Sequence, residues 1–427
     1  MTTTTRSLTA VLLLAGLAAS PDTSLAQVAD APIAFTNVQV FDGTTDGLID
    51  GCTVVVEGEL ITDACASSAP SGAWVIDGQG MTLMPGLIDS HTHLNLSMSG
   101  ARPGMEMARW DLMASYGAAA AQEWFWDGFT TVRDMGGMSD GLQSVIDDGL
   151  FVGPRIYPSA GMISQTSGHA DMRFDSQRHP SENSVNRLEV THIADGPNEV
   201  RRAVRRNFAL GASQMKIMMA GGVASDASPF ESGQYSDEEV LAAVEEAATR
   251  GTYVAAHIYR DDHIRRALDL GVMSIEHGQG LREETARLMK EKGAFIAGYI
   301  AAVQSDYILQ HPLYGNPDTF EGQRTLMMKE LTKDFVDIVR RVKPNLVFSI
   351  DVVSTNGAAA RAHRDYEKWM FAESFGNFEA LKAMTSMGGE LALLTGASNP
   401  YPNRLGVIED GAYADILIVD GNPLEDI

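Results

Sequence analysis

Eight short apolar runs recur through the middle of the chain, and their rhythm constrains the fold more than any other feature. They are Gly86–Ser90, Phe129–Arg133, Arg155–Ser159, Gln214–Met218, Tyr253–His257, Met273–His277, Ala294–Ile300 and Leu346–Asp351. Helix-like segments lie between most of them. Ser236 opens one such segment over Val240 to Thr249; Asp237, Glu238 and Glu239 put acid into its first turn, and Arg250-Gly251 closes it. Eight buried strands joined by helical crossovers predict an α/β fold, a (β/α)8 TIM-like barrel over residues 85–396.

The flanks read differently. Ala34 to Phe41, Cys52 to Val56 and Trp74 to Ile76 are β-branched segments punctuated by Gly, Asp and Ser, and a similar patch returns in Gly406–Ile408 and Asp415–Val419. Two β patches bracketing the barrel predict a small β-sandwich domain built from both termini, residues 27–84 and 397–427. Cys52 and Cys65 fall in one of these patches, where a disulfide and a pair of buried free thiols are both open.

Ahead of the first patch, Arg6 precedes an apolar run from Leu8 to Ala19, then Pro21 and a small-residue site at Ser24-Leu25-Ala26. That is the layout of a secretory signal peptide over residues 1–26, so the mature chain is expected in the periplasm or outside the cell. The apolar run is short for a membrane span. A formal charge of −24 argues against nucleic-acid binding, which needs a basic face.

The ionisable residues fall at the ends of the apolar runs. His91 and His93 follow the first, two residues apart, which aims both at one face of a strand. Lys216 interrupts the fourth run; His257, His277 and Asp351 close the fifth, sixth and eighth. In a (β/α)8 barrel these ends meet at one mouth, where four imidazoles and a carboxylate suit zinc and similar divalent ions. A lone histidine at a strand end is ordinarily a hydrogen-bonded core residue. A lysine inside an apolar strand is harder to treat that way, because a buried ammonium must find a partner, become neutral or be modified.

The motifs around these residues resemble the amidohydrolase superfamily. Pro85-Gly86-Leu87-Ile88-Asp89-Ser90-His91-Thr92-His93 looks like its signature around the first two metal ligands. Gly128-Phe129-Thr130-Thr131-Val132-Arg133-Asp134 resembles the second strand of the branch holding imidazolonepropionases, zinc prolidase-like dipeptidases and ochratoxin A-hydrolysing amidohydrolases. Lys216, His257, His277 (in Ser274-Ile275-Glu276-His277-Gly278) and Asp351 match the remaining ligand positions, and Ala412–Ile416 resembles the returning strand.

The resemblance implies two divalent ions, zinc by donor type. One would be held by His91, His93 and Asp351 and the other by His257 and His277, with carboxylated Lys216 and a hydroxide between them. It implies hydrolysis of an amide beside a carboxylate-bearing C-terminal residue, with Asp351 as general base and then acid. It also implies a small amide or short peptide as substrate, and a homo-oligomer. His169, in Ser167-Gly168-His169-Ala170-Asp171, resembles the family's Ser-Gly-His loop and is a candidate for binding the substrate carboxylate; Tyr235 is a second.

Two stretches depart from the family. Ile258-Tyr259-Arg260 follows His257 where relatives place a small or aromatic residue and then Gly, and Ser349-Ile350-Asp351-Val352-Val353 surrounds the last ligand. The bulkier lining points to an apolar or aromatic leaving residue. Lys216 argues against a one-metal deaminase. A lactonase or phosphotriesterase-like hydrolase would use the same ligands, while a secreted binding protein on a dead barrel would have lost one.

Overall fold

Each of the eight apolar runs forms a strand. The computed structural model describes residues 31–97, 102–223, 228–301, 306, 308–310, 314–353 and 355–427, so the signal-peptide segment lies outside the described residues. Six short strands come first: β1 (Ile33–Thr36), β2 (Gln39–Val40), β3 (Thr53–Glu57), β4 (Leu60–Ala66), β5 (Trp74–Asp77) and β6 (Thr82–Pro85). The barrel follows with β7 (Leu87–Thr92), β8 (Phe129–Asp134), β9 (Arg155–Pro158), β10 (Met162–Ser164) and β11 (Thr191–Ile193). It continues with β12 (Met215–Met218), β13 (Val254–Arg260), β14 (Ser274–Gly280), β15 (Phe295–Gly298) and β16 (Asn345–Phe348); β17 (Ile416–Val419) is last.

The barrel strands pair in parallel, in the orders β7-β8-β9 and β11-β10-β12-β13-β14-β15-β16. The third barrel position is not the single strand expected over Arg155–Ser159. There β9 pairs with β8 and β10 pairs with β12, and the chain turns between them at Ala160, whose φ is +55°. The chain then adds β11 along the other edge of β10, an element absent from the sequence reading. At the opposite join, β16 lies against β7 and the Asp351 N–H donates to the His91 carbonyl at 3.0 Å.

Helices cover the outer faces of the strands. The expected helix after the fourth strand runs Asp237–Ala248 and begins with a reciprocal capping box, Ser236 accepting from the Glu239 N–H while Glu239 accepts from the Ser236 N–H. Its exit passes through Gly251 at φ +67°. The apolar layer between strands and helices includes Phe129 stacked on Phe348, with centroids 5.8 Å apart.

The terminal strands form two small sheets, β4-β3-β1-β5 and β17-β6-β2. Val40, Val54, Val56, Ile61, Leu83 and Val407 bury a common apolar cluster between them. Cys52 and Cys65 are joined in a disulfide, with Cα atoms 4.4 Å apart. No helix among the described residues is long and apolar enough to cross a membrane.

Candidate metal centre

Strand ends deliver the polar side chains to one mouth because each apolar run stops where a charged or imidazole group begins. His91 lies on β7 and His93 just beyond it, Lys216 on β12, His257 on β13 and His277 on β14; Asp351 follows β16. The backbone bends to present two of them. His277 has φ +72° and is followed by Gly278 at +61°, and Asp351 has φ +53°. Left-handed backbone is uncommon outside glycine, and such conformations persist where the surroundings hold them. A Cβ on Gly278 would come within 2.7 Å of Ile296, so glycine answers both the turn and the space.

The donor atoms converge. His91 Nε2 lies 3.3 Å from His93 Nε2, 3.3 Å from Lys216 Nζ and 3.6 Å from Asp351 Oδ1. Asp351 Oδ1 is 3.5 Å from His93 Nε2, and Asp351 Oδ2 is 3.6 Å from His277 Nδ1. His277 Nε2 meets His257 Nδ1 at 2.7 Å, and His257 Nε2 faces the Gly221 carbonyl at 3.3 Å. Among the described residues, His91, His277 and Asp351 bring one ligand atom each within 4.8 Å of one another.

Burial sets the charge of these groups. It holds the imidazoles of His91, His257 and His277 well below the usual range and His93 at about 4, so all are neutral near pH 7 with a lone pair available. Burial also lowers the Lys216 ammonium to about 8, against the pull of Glu276 and Asp351, and raises the Asp351 carboxyl to about 7. His277 Nδ1 is buried without a hydrogen-bond partner, and His91 Nε2 and His93 Nε2 face each other at 3.3 Å, while His93 Nδ1 is turned to the Gly136 carbonyl at 3.2 Å. Nitrogen and carboxylate donors so placed fit divalent-metal binding.

His169 joins this group. Its ring lies on His257, and burial together with the charges of Lys216 and Arg324 holds it neutral, down to about 3. Tyr235 does not join it. Its φ of +60° accompanies a phenol packed into the layer between strands and helices, where the charges that bear on it are those of Glu239, Asp195 and Glu199. Two aromatic walls were not foreseen in detail. Tyr259 stacks on His277 (centroids 4.8 Å, planes within 10°), and its hydroxyl meets that of Tyr299 at 3.0 Å. The departure at Ile258-Tyr259-Arg260 was the available signal for the first of them.

A sequence model of the amidohydrolase family matches residues 82–427. The ochratoxinase of Aspergillus niger is 28% identical over 372 residues, which are 81% of this chain and 71% of that protein. Among solved structures, a prolidase complexed with N-methylphosphonate-L-proline superposes with a TM-score of 0.82 at 33% identity, covering 93% of this chain and 94% of its own. A Xaa-Pro dipeptidase with methionine bound in its active site gives 0.76 at 27% identity, covering 93% and 95%.

Proposed function

The chain belongs to the amidohydrolase family and is a hydrolase of amide bonds, and from that premise we propose a two-zinc enzyme cleaving the amide that precedes a C-terminal, carboxylate-bearing residue. The observation that carries the reading is the convergence of His91, His93, Lys216, His257, His277 and Asp351 at one barrel mouth with His169 beside them. The similar prolidase, bound to a phosphonate analogue carrying proline, and the similar ochratoxinase support this substrate class. The apolar walls at Tyr259 and Tyr299 favour an aromatic or apolar leaving residue, which includes phenylalanine released from ochratoxin A.

In this reading His91, His93 and Asp351 would hold one ion and His257 and His277 the other, with Lys216, carboxylated on Nζ, as a ligand shared by both. Two such ions supply carbonyl polarisation and lower the pKa of water toward about 7. Lys216 is suited to carboxylation because burial disfavours its ammonium form, and a neutral amine reacts with carbon dioxide. Asp351, facing the site from the end of its strand, would take the proton of the attacking water and pass it to the departing amine nitrogen. His169 donates a neutral hydrogen bond to the substrate carboxylate. Tyr259 and Tyr299 shield the reacting amide from bulk water. The leader-like first 26 residues extend the proposal to an exported enzyme, and the two terminal sheets to one sandwich domain.

Metal analysis and hydrolysis of a panel test this on wild type and Lys216→Ala. The panel holds N-acyl amino acids, dipeptides ending in Phe, Pro or Arg, ochratoxin A and a lactone. Two zinc ions per chain and C-terminal residue release abolished in the variant are expected. An active Lys216→Ala, or a preference for the lactone, overturns the reading.

A further inference from the structure

Arg133 and Glu276 stand inside two of the apolar runs, yet neither belongs to the ligand set. Both are buried, Glu276 completely. All five N–H groups of Arg133 are engaged. Nε donates to the Ser90 carbonyl at 2.5 Å, Nη1 to the hydroxyls of Tyr253 and Ser274 at 3.0 Å each, and Nη2 to both Glu276 oxygens at 2.8 Å. Ser274 Oγ also donates to Glu276 Oε1 at 2.6 Å. A buried carboxylate this fully engaged is costly unless its counter-charge is fixed beside it.

Glu276 Oε2 carries the pair into the metal centre, lying 2.6 Å from Nδ1 of His91. The approach is oblique to the ring N–H and does not align as a hydrogen bond. At that distance a bare ring nitrogen and a carboxylate oxygen would repel, so the proton of neutral His91 belongs on Nδ1. Nε2 is then the unprotonated nitrogen, and it is the atom that faces His93, Lys216 and Asp351.

We propose that Arg133 and Glu276 are positioning residues for the metal centre: Glu276 fixes the tautomer and ring orientation of His91, and Arg133 holds Glu276 in place by bonds to β7, β14 and Tyr253. The pair bears on the ion assigned to His91, His93 and Asp351: although Glu276 lies beside His257 in the β13–β14 ladder and precedes His277 in the chain, among the described residues its carboxylate forms an ion pair with His91 and none with the imidazoles of His257 or His277. This rests on the two-ion reading given above.

Zinc titration against a chromophoric chelator, with thermal unfolding on the same samples, tests it in wild type and Glu276→Gln. Wild type is expected to hold two ions, and the variant to weaken one of them by about 10- to 100-fold while keeping the other. Equal weakening of both ions in step with a lower Tm would mean a merely structural pair and overturn the proposal, as would two ions held as in wild type. Fewer than two ions in wild type would instead overturn the two-ion reading. Glu276→Asp keeps the charge opposite Arg133 but draws it back from His91. It is expected to show the same selective loss and serves if Glu276→Gln does not fold.

Discussion

His169 lies face to face on His257, with ring centroids 3.9 Å apart and planes within 15°. The contact brings a neutral donor beside a proposed ligand without adding charge. His169→Asn is therefore expected to raise KM for N-acyl amino acids by about 10- to 100-fold, the worth of a hydrogen bond to a charged group. The corresponding C-terminal amides should be little affected. Equal losses on acids and amides would remove His169 from carboxylate binding.

The same residue makes a pH prediction. In the unfolded chain its imidazole takes a proton below about 6.5, whereas in the fold burial delays this to about 3. The unfolded state thus binds more protons between these values, and the contribution of neutral His169 is complete above 6.5 and lost as pH falls. Compared with His169→Asn, metal-free wild type should lose about 2 kcal/mol more stability between pH 7 and pH 5. Urea unfolding at the two pH values reads the difference, and parallel losses would contradict it.

Asp351→Asn removes a carboxyl proposed both as an ion ligand and as the proton carrier, so its rate is read on protein of measured zinc content. Asparagine tolerates the left-handed backbone that Asp351 adopts at φ +53°, so the fold should survive. Loss of the carboxyl that shuttles the proton should lower kcat by about 10²- to 10⁴-fold. Near-wild-type kcat in folded, zinc-loaded Asp351→Asn would assign the proton to another group.

Gly222 lets two histidines sit where they do. A Cβ there would lie 2.3 Å from His169 Cε1 and 2.9 Å from His257 Nε2. Gly222→Ala should push the stacked pair apart and reduce kcat/KM by about 10-fold or more, since misplacement by an ångström at a reacting centre has effects of that order. Unchanged kinetics would show that the loop carrying Gly222 yields instead.

Far from the mouth, the Cys52–Cys65 disulfide spans 13 residues of sequence. Cys52→Ser should cost about 2–3 kcal/mol by releasing the unfolded chain, with kcat unaltered. Denaturant unfolding and steady-state rates, measured together, check both halves.

The eight strands and the six residues at their ends were legible in the sequence because a buried strand leaves an apolar run and a charge that ends it stands out. Met162–Ser164 and Thr191–Ile193 were not, being three-residue strands with too few positions to show a period. Tyr235, read as a second candidate for the substrate carboxylate from its place after the fourth strand, packs instead in the apolar core with a φ of +60°, and nothing in the sequence marks that conformation. Arg133 and Glu276 were within reach. The reasoning that singled out Lys216, a charge inside an apolar strand that must find a partner, applies to both, and each was the other's partner.

The ring of strands is closed in two unlike ways. Between β9 and β10 the chain itself runs across the join, whereas among the described residues no ladder pairs β16 with β7. That join is crossed by the Asp351 N–H and the His91 carbonyl, the backbones of two side chains assigned to one ion. The proposed ion, bound by both side chains, would straddle a join that no ladder closes, and slowed amide exchange at Asp351 on metal loading would register that added constraint.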